Sequence, residues 1–310
     1  MSSYRHKRYI GRMCYVMTLV AGSEAAPLET TDLEKLRQAM CAAGASVGPA
    51  DWLAPGRACD LPFNGITVQA ARDATDGILE GLIADCAFQL ARGRRKALLV
   101  ADMESTMIAQ EMIDELALLL GIGPQIAEIT TRAMAGELAF EDSLRSRVAL
   151  LKDLPAARLD EVSKKMTLNP GARTLVQTMK AHGAYTALVS GGFTFFTSQI
   201  REACGFHEDR ANSLIIENGH LTGAVVEPIL GREAKQQVLE ELATQRGLGN
   251  DAVCAVGDGA NDLAMLSAAG LGAAYHGKAV VRDATDFHID HGDLTALLYF
   301  QGYRRETFRD

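Results

Sequence analysis

The rhythm of apolar positions changes near residue 97. Upstream of it, apolar residues are spaced as on half-buried elements. Residues 13–21 read as a strand carrying Val16, Thr18, Leu19 and Val20, behind an unstructured basic leader over residues 1–12. Thr30-Thr31-Asp32-Leu33-Glu34 offers capping residues and an acidic first turn, and Leu33, Leu36, Met40 and Ala43 then follow helical spacing. Gly44 and Gly48 end that helix, and Pro49, Pro55, Gly56, Pro62 and Gly65 mark residues 48–65 as loop or strand-and-turn. Residues 74–91 read as a second helix with Ile78, Leu79, Leu82, Ile83 and Phe88 on its apolar face. Strand, helix, strand, helix predicts a small α+β domain over residues 13–92. The basic run Arg92-Gly93-Arg94-Arg95-Lys96 then reads as a solvated linker.

From Ala97 the apolar runs become short and continuous, as in strands buried on both faces. Ala97–Ala101, Ala184–Val189, Ala252–Val256 and Leu271–Tyr275 are such runs, and helical patterns at 171–182 and 232–246 lie between them. Alternation of this kind predicts a doubly wound parallel α/β sheet over residues 93–310. Asn218-Gly219 between Leu214-Ile215-Ile216 and Leu221-Thr222 reads as a hairpin turn. Residues 107–165 break the alternation with an all-helical insertion, which would sit above the strand ends where α/β proteins bind ligands.

Composition narrows the function classes. The 310 residues are 48% hydrophobic and 23% charged, with net charge −8. That balance argues against a protein dedicated to nucleic acid or to an anionic membrane. No apolar run approaches the length of a membrane span. Arg5, His6, Lys7, Arg8 and Arg12 before Met13–Ala21 loosely imitate a secretory signal, but the apolar run is short and the strand reading is preferred. The six cysteines show no C-x-x-C spacing, so free thiols in a reducing cytoplasm are expected rather than disulfides or zinc.

Four features lie at the predicted carboxyl ends of four strands, with Lys235 just after the hairpin at the start of a helix. They are Asp102 in Asp102-Met103-Glu104-Ser105-Thr106, Ser190-Gly191-Gly192, Lys235, and Gly257-Asp258-Gly259-Ala260-Asn261-Asp262. Singly, each has an ordinary explanation: a helix cap, a turn, a surface lysine, a glycine loop. Jointly they supply a carboxylate nucleophile, a second carboxylate, a hydroxyl, backbone amides, an ammonium and an acidic pair for a metal. This set fits phosphoryl transfer, which depends on positioning and charge stabilisation more than on covalent chemistry. Mg²⁺ between Asp102 and Asp258 would offset the repulsion between a carboxylate and a phosphate dianion.

The arrangement resembles the haloacid dehalogenase superfamily, whose signatures D-x-D-x-[TV], a strand-end Ser or Thr, a Lys and G-D-x-x-x-D are matched in order over about residues 97–295. Within it, the stretches Gln110–Glu115, Ile129–Glu141 and Ser143–Val148 resemble the phosphoserine phosphatase family. The resemblance implies hydrolysis of O-phospho-L-serine through an aspartyl phosphate on Asp102, as the last step of serine biosynthesis. It implies metal contacts from Asp102, Asp258 and the backbone carbonyl of Glu104. It gives Ser190, Gly191, Lys235 and Asn261 to the phosphate, and leaves Asp262 to orient Lys235 or the metal shell. In the inserted cap, Glu111 would meet the substrate ammonium and Arg147 its carboxylate, while Met134 and Phe140 exclude water or form cap core. Residues 13–90 weakly resemble the ACT-like domains that precede some members. The implied partner is a small molecule, with no nucleic acid or membrane, and a homodimer is left open.

One position departs from the pattern. The family has Asp two residues after the nucleophile, and this chain has Glu104. Glu carries the same carboxyl on a longer stem, so it can serve as general acid and base if the loop accommodates it, although misplacement by about 1 Å can cost roughly 10²-fold in rate. The alternatives are another phosphatase or phosphotransferase of the superfamily, and a degraded site serving as an amino-acid-sensing module.

Overall fold

The computed structural model describes residues 15–135 and 137–310. The leader expected over 1–12 lies outside the described residues.

The N-terminal unit runs β1 (Tyr15–Ala21), α1 (Thr30–Ala42), β2 (Ser46–Val47), β3 (Asp51–Ala54), β4 (Ala58–Asn64), α2 (Val68–Leu79) and β5 (Ala84–Leu90). The expected start of α1 is present, and a capping box between Glu29 and Asp32 closes it. The expected second helix is corrected: α2 stops at Leu79, and 84–90 is a strand. Strand β1 lies antiparallel between β4 and β5. Met17, Leu19 and Ala21 of β1 face Leu33, Leu36 and Met40 of α1 and Ala71 of α2, while Val20 faces the other way.

Val20, Leu53, Ala54, Ala58 and Ala87 join the same buried cluster as Leu294, Leu297, Tyr299 and Phe308 from the end of the chain. The basic run is therefore not a solvated linker. Arg94 is ion-paired to buried Asp60, Arg95 lies 4.0 Å over the Tyr303 ring, and the Lys96 ammonium donates to the Asp251 carbonyl at 2.7 Å. Arg94, Arg95 and Lys96 each have a partner that lies far away in sequence.

The second unit is the expected parallel sheet. Its strands are β6 (Leu98–Ala101), β7 (Tyr185–Phe193), β8 (Glu208–Asn212), β11 (Val253–Gly257), β12 (Leu271–Tyr275) and β13 (Phe287–Ile289), ordered β13-β12-β11-β6-β7-β8. Residues alternate between two buried layers: Leu99, Ala101, Cys254 and Val256 face one, and Leu98, Val100, Val253 and Ala255 the other. The insertion after β6 holds α3 (Met112–Leu120), α4 (Gly123–Met134), α5 (Phe140–Ala149) and α6 (Ala157–Ser163). Helices α7 (Ala172–Ala181), α8 (Thr194–Cys204) and α9 (Arg232–Gln245) follow. The Asn218-Gly219 hairpin forms as β9 (Leu214–Glu217) and β10 (His220–Val225), with both turn residues at positive φ. It belongs to the cap, because His220 bridges to Pro155 and the Asp153 amide donates to the Leu221 carbonyl.

The two units meet at Asp85. Its carboxylate accepts the backbone N–H groups of Asp290, His291 and Gly292 at 2.7, 3.0 and 2.8 Å. Asp85→Ala would leave these donors without their acceptor. We expect it to lower unfolding stability by about 1–3 kcal/mol in urea titrations, and an unchanged midpoint would refute this role.

Candidate active site

Three chemistry-bearing segments converge because β7, β6 and β11 are adjacent and parallel. Ala101 pairs with Leu188 on one side and Val256 on the other, so the chain leaves β6 beside the ends of both neighbours. The Asp102 amide donates to the Val256 carbonyl at 3.0 Å, which fixes the aspartate at the centre of the sheet edge. Ser190 lies near the end of β7, and Asp258 directly follows β11. The fourth feature, Lys235, stands after the β9–β10 hairpin in the first turn of α9, and no strand of the parallel sheet ends at it.

Lys235 organises the centre. Its ammonium, 1% exposed, donates to Asp102 Oδ1 at 2.6 Å and to Asp262 Oδ1 at 2.7 Å. The second oxygen of Asp262 accepts the Gly259 amide at 3.1 Å, so both its oxygens are committed and it acts as a support. Oxygens of Asp102, Asp258 and Asp262 lie within 4.8 Å of one another. Three carboxylates thus face one ammonium and the more distant, exposed Lys278, whose Nζ lies 3.7 Å from Asp258. Burial, reinforced by the charge of Asp262, raises the Asp102 carboxyl well above its ordinary value and pushes Asp258 up to about 6. Burial opposes the charged form of Lys235, but the two carboxylates outweigh it and hold the ammonium above its usual range. The surplus negative charge and oxygen-only donor set fit a divalent cation held by Asp102 and Asp258.

The loop after Asp102 is tightly coiled, and Ser105 takes φ 54, an uncommon region for a residue with a side chain. That turn aims Ser105 Oγ at Glu111, to which it donates at 2.7 Å. Glu104 Oε1 accepts the Met112 amide, at the start of α3, at 2.8 Å. A Cβ on Gly192 would come within 2.8 Å of Glu104 Oε2, so glycine there leaves room for the longer acid. Burial first, then the charge of Glu111, raises Glu104 to about 8, against the pull of the Met112 amide, Lys235 and Arg147. The carboxyl is therefore positioned to hold a proton near neutral pH.

The cap supplies the remaining walls. The Phe140 ring lies close over Gly191, where a Cβ would meet it at 3.0 Å. Burial lowers the Arg147 guanidinium, while Glu104, Asp114 and Glu111 act on it in the other direction, so these charges surround one space. Arg147 is half-buried and Glu111 exposed. The Ser190 hydroxyl accepts the Gly192 amide at 2.9 Å and keeps its own hydrogen for donation. Asn261 is half-buried on the loop between Asp258 and Asp262. The side chain of Met134 lies outside the described residues.

Sequence reasoning missed three supports. Ser105 steadies Glu111, Asn169 donates to the Thr106 carbonyl at 2.8 Å, and Asn212 donates to the Gly191 carbonyl at 2.9 Å. Only Ser105, inside the stretch Asp102–Thr106, carried any signal.

A family model described as haloacid dehalogenase-like hydrolase matches residues 99–267. A phosphoserine phosphatase of Archaeoglobus fulgidus is 42% identical over 66% of this chain, an alignment that spans 59% of that protein's length. A phosphoserine phosphatase of Lactococcus lactis is 43% identical over 66% of this chain and 95% of its own. Among solved structures, a probable phosphoserine phosphatase from Vibrio cholerae superposes with a TM-score of 0.77 at 32% identity, covering 96% of this chain and 89% of its own.

Lys235→Met would leave Asp102 and Asp262 buried without their shared cation. We expect a stability loss of about 3–5 kcal/mol by chemical denaturation. Adding Asp262→Asn should recover part of it; a single variant as stable as the parent would show that the ammonium does not hold this centre together.

Proposed function

Because this chain belongs to the haloacid dehalogenase-like hydrolases, we propose that it is a Mg²⁺-dependent phosphatase releasing phosphate from O-phospho-L-serine. The observation that carries this reading is the buried Asp102–Lys235–Asp262 contact beside Asp258, roofed by a cap that presents Glu111 and Arg147. The centre provides for a phosphoryl group, and the cap provides one negative and one positive partner for the ends of an amino acid. Arg147 can grip a carboxylate through two parallel hydrogen bonds. Ser105 would keep Glu111 turned toward the substrate ammonium.

In the first step an Asp102 oxygen attacks phosphorus and the bond to the serine oxygen breaks. Glu104 gives its proton to that oxygen, which leaves as the hydroxyl of serine. In the second step water attacks the aspartyl phosphate, returns a proton to Glu104 and releases Asp102. Lys235, the Ser190 hydroxyl and the Gly191 amide hold the phosphoryl oxygens, with Asn261 at their edge. Mg²⁺, held by Asp102, Asp258 and the Glu104 carbonyl, supplies when bound a positive charge against the carboxylate and phosphoryl oxygens. Phe140 over Gly191 keeps water out until the serine has left. Among the described residues no helix is long and apolar enough to cross a membrane.

The longer acid is accommodated by the Met112 amide, which takes up the reach of the extra methylene. Glu104→Gln keeps an acceptor for that amide and removes the proton donor. It should cut turnover by about 10²–10⁴-fold while leaving Mg²⁺ binding intact in calorimetry; unaltered turnover would exclude Glu104 from proton transfer.

The substrate reading is tested with a panel of phosphomonoesters. Phosphate release should require Mg²⁺, favour phosphoserine over sugar phosphates and nucleotides, and vanish in Asp102→Asn. Preference for another ester would move the protein elsewhere in the superfamily. No release from any ester would favour a sensing role.

A further inference from the structure

A cavity of about 1030 Å³ opens between the N-terminal unit and the phosphatase core. None of the residues given above to substrate or metal lines it. Residues 22–27 and 54–57 form one wall, and segments around Asn169–Thr174, Tyr275-His276 and His291–Phe308 form the other. Its volume is at the upper end of what small-molecule sites use.

The polar groups facing this space are unequally committed. Tyr275 and Tyr299 are 4% and 1% exposed, yet neither phenol has a hydrogen-bond partner among the described residues. Burial pushes Tyr275 up to about 12 and also raises Tyr299, so both stay protonated and can donate. The hydroxyl oxygens themselves are not fully buried, so they are open to donate to a ligand in the cleft. Arg305, exposed on the rim, has no carboxylate within ion-pair distance among the described residues. Arg57 is anchored on the Ala21 carbonyl and lies 3.5 Å from Asp293. The Asp293 carboxylate is already used, accepting the Thr295 amide at 2.8 Å and the Thr295 hydroxyl. His276 and His291 are exposed at the mouth, opposed by Glu24. The uncommitted groups are therefore mostly donors and cations, against walls made apolar by Pro27, Pro55, Pro170 and Phe308.

We propose that this cleft is a second ligand site, which takes a small organic anion with an apolar body and holds its acidic head between Tyr275, Tyr299 and Arg305. A carboxylate and a phosphorylated compound share this chemistry. Both need several donors converging on a few oxygens, and both gain from fixed positive charge in a partly dry site. The site is distinct from the proposed substrate pocket and stands whatever ester that pocket hydrolyses.

Benzoate and phenylphosphonate, titrated calorimetrically into the full chain, separate the two sources of the anion. At least one is expected to bind with one equivalent. Combining Tyr275→Phe, Tyr299→Phe and Arg305→Gln should weaken binding by at least about tenfold, the worth of one lost charge-assisted hydrogen bond. Thermal melting and turnover should be unchanged in that variant, since none of these residues belongs to the catalytic centre. Arg147→Ala, which alters the cap pocket, should leave probe affinity as it was. Absence of binding by both probes at millimolar concentration, full affinity in the triple variant, or loss of affinity in Arg147→Ala would overturn the proposal.

Discussion

The buried ammonium of Lys235 is the constraint on which the site depends. Asp102 and Asp262 lie buried beside each other, and the ammonium that both contact offsets their mutual repulsion. Placing that cation on the first turn of α9, rather than on the sheet, ties Asp102 to the segment that returns from the cap. The strand end, the helix and the acidic loop after β11 are thereby locked into one electrostatic unit. Asp258 stands at its edge with less compensation, its nearest ammonium being Lys278 at 3.7 Å. Fold stability and charge placement at this centre therefore draw on the same contacts.

The second organising feature is how the cap rests on the core. Two glycines in succession, Gly191 and Gly192, let Phe140 and Glu104 approach the loop more closely than any side chain there would permit. Glu104 also takes the amide of Met112, so its carboxylate touches a core loop on one side and the start of the first cap helix on the other. A shorter aspartate on the same backbone would reach less far. The departure from the family pattern thus has a structural counterpart: the extra methylene spans a distance that this loop presents.

Much of the parallel α/β half was legible because its elements are locally specified. Continuous apolar runs mark strands buried on both faces, and carboxylates directly after such runs have few ordinary explanations when several occur together. The errors came where partners are remote. Residues 84–90 look helical because Ile78, Leu79, Leu82 and Ile83 continue a helical spacing across Gly81. The strand that follows is buried on both sides, Ala87 toward one cluster and Phe88 toward the other, so no alternation betrays it. Arg94 and Lys96 looked solvated because Asp60 and Asp251 cannot be assigned to them by spacing alone. The hairpin was recognisable from Asn218-Gly219, but its place in the cap depends on contacts with Asp153 and Pro155, which only folding brings near.

These errors share one location, and that location bears on what the N-terminal unit is. A tethered module would show a solvated linker and its own closed core. Here one face of its sheet is shared with the C-terminal residues Leu294 to Phe308, and the connecting cations are paired across the junction. Arg304 reinforces the same seam by gripping Asp51 with two contacts of 2.7 Å. The Arg94–Asp60 pair is largely buried, and such a pair fixes a geometry even where it adds little net stability, because breaking it leaves an uncompensated ion. The two units therefore form one continuous packing problem, and the cleft between them is a feature of that joint surface rather than of either half.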